Sequence, residues 1–110
     1  MADDRALADR VREVVEGERG LTEKAMFGGL AFLIDGAMAV SASSGGGLLL
    51  RVDPAQTALL VEEAHVRRFE MRGREMDGWL QLEAEAVDTE AGLRRWVTHG
   101  VSYARSLAPP

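Results

Sequence analysis

The chain has 110 residues, 46% of them hydrophobic and 28% charged, which fits one folded domain with one core. It contains no cysteine, which excludes disulfide frameworks, thiolate nucleophiles and zinc–thiolate sites. Its net charge of −5 opposes attraction to a phosphate backbone, so we do not expect direct binding to nucleic acid.

The first predicted element is an amphipathic helix that ends near Gly17. Asp3 or Asp4 can cap its first turn. Its apolar residues recur at helical spacing, which predicts that one face packs on the core. This stripe consists of Leu7, Val11, Val14 and Val15.

Four short strands with tight connections are predicted next. Asp35 and Gly36 separate two of them and have the residue types of a type I′ turn. Residues 43–47, Ser-Ser-Gly-Gly-Gly, are predicted to form another hairpin connection, because they lack the lysine and the spacing of a phosphate-binding loop. The predicted strands span residues 23–27, 30–34, 37–41 and 47–52.

Two adjacent glycines, Gly28 and Gly29, interrupt the apolar run between the first two strands. Glycine in a strand loses side-chain packing, so its presence indicates a bulge, a sharp bend or a close approach of the backbone. We therefore predict a structural corner at this point, with Met26 and Phe27 in the core.

A second helix and a second hairpin follow. Asp53 followed by proline is a helix start, and this helix is expected to reach about Ala64. The hydrophobic period then changes to two, which predicts strands over residues 66–71 and 78–84 with residues 72–77 as the connecting loop.

The last predicted helix runs from residue 89 to residue 107, with Asp88 or Thr89 as its N-cap. Trp96 lies on its apolar stripe and is expected in the core, and Arg94 is placed to pair with Glu90. The full stripe consists of Leu93, Trp96, Val97, Gly100, Val101 and Ala104.

The element order predicts a two-layer α+β domain with an antiparallel sheet. We expect a single domain over residues 1–110, with its core over about residues 3–107. The strands between Leu30 and Val52 are apolar on both faces, and three helices are too few to cover both sides of such a sheet. Self-association would cover the second side, so a homodimer is one expectation.

Five segments of the chain together carry a family resemblance: Met26-Phe27-Gly28-Gly29, Asp35-Gly36, residues 49–53, residues 69–78 and Leu93-Arg94-Arg95-Trp96. They resemble the TfoX N-terminal domain family, and the resemblance spans nearly the whole chain. It implies an α-β(3)-α-β(2)-α arrangement similar to that of secretion chaperones. The patterns above give the same order, with three or four strands between the first two helices.

Longer members of this family are regulators of natural competence, described as transcriptional coactivators that act alongside the cyclic-AMP receptor protein, and they carry an additional C-terminal domain. We expect the present chain to be too short to include that domain. The resemblance therefore implies a regulatory or adaptor role and supplies no catalytic residue.

No catalytic, cofactor-binding or metal-ligating residue is assigned from the sequence. His65 and His99 are the only histidines, and neither lies in a metal-binding motif, so we expect surface or capping roles. Adjacent carboxylates such as Glu62 and Glu63 are expected on a solvated face. A Ser-His-Asp unit assembled in space remains open, but the chain has no nucleophile elbow.

The second hairpin holds the candidate interaction surface, which consists of Arg68, Arg72, Arg74 and Trp79. Alternation predicts that Trp79 lies among polar residues, on the face opposite to Phe69, Met71, Leu80, Leu82 and Ala84. An exposed tryptophan beside arginines is typical of an interaction hot spot. The alternative is intramolecular, with Arg72 stacked over Trp79 and Arg68 paired with Glu83.

The sequence thus favours a non-enzymatic regulatory or adaptor domain that binds a protein partner, with a role in transcriptional regulation of the competence type. The alternative is a small-molecule-binding domain or an unrecognised enzyme with a pocket between the sheet and the helices. The apolar runs are too short to cross a bilayer and the acidic N-terminus resembles no signal peptide, so we expect a cytoplasmic protein without membrane contact.

Overall fold

The fold is known from a computed structural model that describes residues 4–26, 29–43 and 47–107. Within these residues there are three α-helices and six strands, with four strands between the first two helices and two between the last two, and two short 3-10 helices beside them. The helices are α1 (Asp4–Val15), α2 (Thr57–Leu60) and α3 (Glu90–Ser106). The strands are β1 (Leu21–Met26), β2 (Gly29–Ile34), β3 (Ala37–Ala42), β4 (Leu48–Arg51), β5 (Val66–Met71) and β6 (Arg74–Leu82).

All six strands form one antiparallel sheet in the order β1-β2-β3-β4-β6-β5. Helices α1 and α3 contact each other and pack against β3, and the main core lies between these helices and one face of the sheet. The predicted α+β class, with an antiparallel sheet and two layers, is confirmed.

The two long helices bury the stripes that their sequences predict. Val11 and Val15 of α1 are buried, and every predicted stripe residue of α3 is buried. Thr89 is the N-cap of α3, because its side-chain oxygen accepts a hydrogen bond from the amide of Gly92. Within the described ranges, no helix is long and apolar enough to cross a membrane.

The connections around β2 also follow the sequence. Asp35 and Gly36 both have positive φ, 50° and 87°, as a type I′ turn requires. A Cβ at Gly29 would collide with the carbonyl of Ala42, so the predicted close approach of the backbone is found there. Phe27 and Gly28, and the side chain of Met26, lie outside the described residues.

A β-bulge lets α3 approach the sheet closely. Phe32 pairs with Val40 and Leu33 pairs with Met38, which leaves Ala39 as an extra residue in β3. The carbonyl of Ala39 faces α3 at Gly100, where an added Cβ would lie 2.6 Å from that oxygen. A helix residue larger than glycine does not fit at this contact.

Two predicted elements differ from those observed. The helix expected to reach residue 64 is shorter and consists of a 3-10 turn at Pro54–Gln56 and one α-helical turn. Only Thr57 and Leu60 of this stretch are buried, so it lacks the apolar stripe that would pack a longer helix on the sheet. The loop expected over residues 72–77 is a two-residue turn, in which Arg72 and Gly73 both have positive φ, and β6 begins at Arg74.

A wide bulge in β6 changes which residues share a face. Arg68 pairs with Leu80, but the next residue, Phe69, pairs with Met76, so three extra residues lie in β6 between these two pairs. An odd number of extra residues exchanges the two faces of a strand. Gly78 lies in this bulge with φ of 89°, and its amide donates a 2.8 Å hydrogen bond to the buried hydroxyl of Thr57.

Candidate functional site

The sheet face opposite the helices, here called the second face, carries its own apolar cluster. Its centre consists of the buried side chains of Ala31, Met38 and Leu49, and partly buried hydrophobic residues surround that centre. Among the described residues, every member of the cluster comes from a strand. The prediction that the sheet is apolar on both faces is therefore confirmed. The surrounding residues are Leu33, Phe69 and Trp79.

A cation–π contact lies beside this cluster. Arg51 of β4 and Trp79 of β6 are direct ladder partners, and the guanidinium carbon of Arg51 lies 4.9 Å from the centre of the Trp79 ring system. Both side chains are partly exposed. An arginine and a tryptophan that are partly exposed and held in place by neighbouring strands are typical of hot spots in protein interfaces.

Charge is distributed unequally between the two faces of the sheet. Strand residues that the ladders place on the second face include cations but no carboxylate among the described residues. Three glutamates lie instead on the helix-covered face or its margin, namely Glu23, Glu70 and Glu75. The cations of the second face are Lys24, Arg51, Arg67 and Arg74.

A buried hydroxyl lies in the middle of the second face. Ser41 pairs with Ala31 on one side and with Leu49 on the other, and only 1% of its surface is exposed. Its Oγ atom has no hydrogen-bond partner within the described part of the chain. A buried polar atom without a partner lowers stability, so this position is energetically unfavourable in the isolated domain.

The four residues of the predicted interaction surface do not share one face. Arg68 lies opposite Leu80 on the helix-covered side, whereas Trp79 lies on the second face with Phe69. The predicted grouping of Trp79 apart from Phe69 is therefore wrong, and its cause is the bulge in β6. Arg72 is in the exposed hairpin turn, and Arg74 follows on the second face.

The intramolecular alternative predicted an arginine stacked on Trp79 and an ion pair of Arg68, and the structure has both contacts, but with other partners. Arg51, not Arg72, stacks on Trp79. The guanidinium of Arg68 donates to Asp77 at 2.8 Å, not to Glu83. Sequence reasoning missed Arg51 because it lies on a different strand, and only the pairing of β4 with β6 brings it to the tryptophan.

A groove along α3 contains His99, whose pKa is shifted. It has a volume of about 470 Å³, and its lining includes Asp53, Arg95, His99 and Tyr103. Burial, together with the positive charge of Arg95, lowers the pKa of His99 below its usual 6.5. Arg95 also donates two hydrogen bonds, of 2.8 and 2.6 Å, to the carboxylate of Glu63 and lowers the pKa of that group.

Three side chains at one end of the sheet lie close enough together to hold a metal ion. His65, Glu83 and Glu85 place one ligand atom each within 4.8 Å of one another, and Nδ1 of His65 lies 3.2 Å from Oε1 of Glu83. The sequence spacing did not reveal this group, because chain folding brings it together. All three residues are exposed, and exposed groups of this kind are common without a metal function.

Other expected contacts of α3 are found. Trp96 is buried as predicted, with 3% of its surface exposed. The guanidinium carbon of Arg95 lies 4.3 Å from its ring centre, a contact that the sequence did not predict. Arg94 lies 3.7 Å from Glu90 in the predicted ion pair. These residues stabilise the helix and its packing, and none of them belongs to the second face.

Comparison with known protein families gives a match over most of the chain. The profile of a family described as the TfoX N-terminal domain matches residues 13–104, which include all six strands, the end of α1 and most of α3. A search of curated proteins gives no match. The family match agrees with the resemblance seen in the sequence and with the observed α+β fold, although the structure has four strands before α2 where the resemblance implies three.

Proposed function

The chain belongs to the TfoX N-terminal domain family, and on this premise we propose that it is a non-enzymatic regulatory or adaptor domain that acts by binding other proteins. The observation that carries the proposal is the second face, where Leu33, Phe69 and Trp79 remain partly exposed around an apolar centre. Apolar patches of this kind on a domain surface mark sites of interaction. The cellular setting that we propose is transcriptional regulation of the competence type, because the family resemblance implies it.

The second face has the composition of a protein interface. It combines an apolar centre with arginines at its margin, and Trp79 and Arg51 are of the residue types that contribute most to binding energy. By contrast, the space between the helices and the sheet is filled by packed side chains, among them Phe32, Leu50 and Leu80, which are fully buried. Binding on the outer surface of the sheet needs no rearrangement of this core.

Affinity capture at native expression level tests the proposal. The tagged chain is compared with a variant that carries Leu33→Glu and Phe69→Glu on the second face, and with a control that carries Leu59→Glu on α2. Leu59 is 71% exposed and lies outside the cluster, so its replacement introduces a carboxylate without touching the second face. We expect the wild type and the control to recover the same protein and the double variant to lose it. Recovery of no protein, or equal recovery by all three, would contradict the proposal.

Small-molecule binding is the second candidate, and the groove beside His99 is the observation that favours it. Its volume of about 470 Å³ is in the range of ligand sites, and His99, Arg95 and Asp53 provide polar groups. Saturation-transfer NMR with a mixture of anionic metabolites tests this candidate. Binding that disappears in a His99→Ala variant would support it, and the lack of any saturation transfer would count against it.

A further inference from the structure

The charge and shape of the second face identify the chemistry of its partner. We propose that this face binds an acidic segment of another protein, one that carries an aromatic or large aliphatic side chain among its carboxylates. This inference rests on the proposed function as a protein-binding domain and adds the class of partner and the place where it binds.

The first argument is the separation of charge. The whole chain has a net charge of −5, yet the described residues that the ladders place on the second face include Lys24, Arg51, Arg67 and Arg74 and no carboxylate. Charges act over about 8 Å at physiological ionic strength, so the local excess of cations determines which ligands this face attracts. Carboxylates on a partner complement it, and a partner rich in lysine would be repelled.

The second argument is a cavity beside Phe69. The wide bulge in β6 interrupts the ladder with β5, and a cavity of about 270 Å³ lies at this interruption. Phe69, Arg67 and Gln81 line it from the second face, while Arg68, Glu70 and Glu75 line its other side. An apolar side chain placed here would contact Phe69, and a neighbouring carboxylate would meet Arg67.

A second copy of this chain fits the face less well. If two copies met through their second faces about a two-fold axis, each set of four cations would lie against the other set. The described strands offer no carboxylate on this face to offset that repulsion. Like charges that face each other across an interface oppose binding, so the distribution of charge favours a different protein.

Nucleic acid also fits less well. A base that stacked on Trp79 would have to displace the guanidinium of Arg51, which lies 4.9 Å from the ring centre. A long polyanion would extend beyond the second face to the rest of a protein whose net charge is −5. A short acidic segment meets only the cations of this face and avoids both penalties.

Selection from a displayed library of random peptides tests the inference. The bait is the wild-type chain, and the enriched peptides are then measured by fluorescence anisotropy against two variants of equal charge change. One variant carries Lys24→Glu and Arg67→Glu on the second face. The other carries Arg94→Glu and Arg105→Glu on α3, which packs on the opposite side of the sheet.

We expect the enriched peptides to be acidic and to contain an aromatic or large aliphatic residue. Their affinity should fall about tenfold or more in the second-face variant and less than about threefold in the control variant, and it should fall as salt rises. Circular dichroism of both variants confirms that each is folded.

Several results would overturn the inference. Enriched peptides that are neutral or basic, or that are weakened equally by both variants, would overturn the acidic partner and leave the proposed function intact. The absence of any enriched peptide would count against both. A mass of about twice 11.9 kDa by light scattering that is lost in the second-face variant would identify a second copy as the occupant. Tighter binding of a thymidine oligonucleotide than of any peptide would identify nucleic acid.

Discussion

Arg51 and Trp79 face each other across the ladder between β4 and β6, with the guanidinium carbon 4.9 Å from the centre of the tryptophan ring system. This pair joins two strands that are distant in sequence and holds the tryptophan at the edge of the apolar cluster on the second face. The contact thus connects the stability of the sheet with the surface that we propose for binding.

Replacing Arg51 by alanine is expected to lower the free energy of unfolding by about 0.5–1 kcal/mol, since a cation–π contact near the surface contributes this much. Urea denaturation measures the change. The matched control is Arg94→Ala on α3, whose long contact with Glu90 is exposed and should contribute less than about 0.5 kcal/mol. Equal effects of the two substitutions would contradict the role of the Arg51–Trp79 pair.

Gly100 determines how closely α3 approaches the sheet. An added Cβ would lie 2.6 Å from the carbonyl oxygen of Ala39 and 2.7 Å from a methyl group of Leu50. We expect Gly100→Ala to destabilise the fold by about 1–3 kcal/mol, although alanine favours helix formation, because overpacking at this contact moves the helix. Thermal unfolding measures the loss. Ser102→Ala, at an exposed position of the same helix, is the control, and an equal or higher stability of Gly100→Ala would refute the close contact.

Two buried hydroxyl groups should respond to removal in opposite directions. The hydroxyl of Thr57 accepts a 2.8 Å hydrogen bond from the amide of Gly78, so Thr57→Val leaves a buried donor without a partner and should cost about 1–3 kcal/mol. Ser41→Ala removes an oxygen that has no partner within the described residues, so it should raise stability by about 1 kcal/mol. Chemical denaturation compares both variants with the wild type. A loss of stability in Ser41→Ala would show that its hydroxyl has a partner.

His99 should contribute to acid sensitivity of the fold. Its pKa is lowered from 6.5 by burial and by Arg95, with Glu63 opposing in part, so the unfolded chain binds this proton at a higher pH than the folded chain does. Stability due to the neutral histidine is therefore complete above the unfolded pKa and is lost as the pH falls below it, until the folded group also titrates. Glu63, whose pKa is lowered by Arg95, adds a loss in the same direction at lower pH.

The variant His99→Gln should thus lose less stability than the wild type between about pH 7.5 and about pH 5.5. Urea unfolding midpoints at several pH values in this interval measure the difference. Above this interval the two proteins should show parallel pH dependence, which serves as the internal control. An equally steep loss in the variant would show that the burial of His99 does not determine this acid sensitivity.

The parts of the fold that depend on local pattern could be predicted from the sequence. The stripe of α3 extends over about three turns, and all its predicted residues, from Leu93 to Ala104, are buried. The turn at Asp35 and Gly36 has residues that tolerate positive φ, and both adopt it. In these cases the residue types and the local conformation agree, so no long-range information is needed.

The candidate site could not be predicted as well, because it depends on pairing between distant strands. Arg72 is unusual in a turn with positive φ, so the short hairpin turn was missed. The three extra residues of β6 then exchange its faces and place Trp79 with Phe69. Gly78 in a strand pattern was the available signal for this bulge, since glycine within a strand often marks one. The partnership of Arg51 with Trp79 has no local signal.

The indole N–H signals of the two tryptophans give the most direct test of binding at the second face. Trp79 lies on this face, whereas Trp96 is buried in the helix-covered core, so the two report on opposite sides of the sheet. The chain labelled with ¹⁵N is titrated with an enriched acidic peptide, and a Trp79→Phe variant assigns the signals. We predict that the Trp79 indole signal shifts progressively to saturation and that the Trp96 signal stays in place. Binding that shifts the Trp96 signal and leaves the Trp79 signal unchanged would contradict the assignment of the second face as the binding surface.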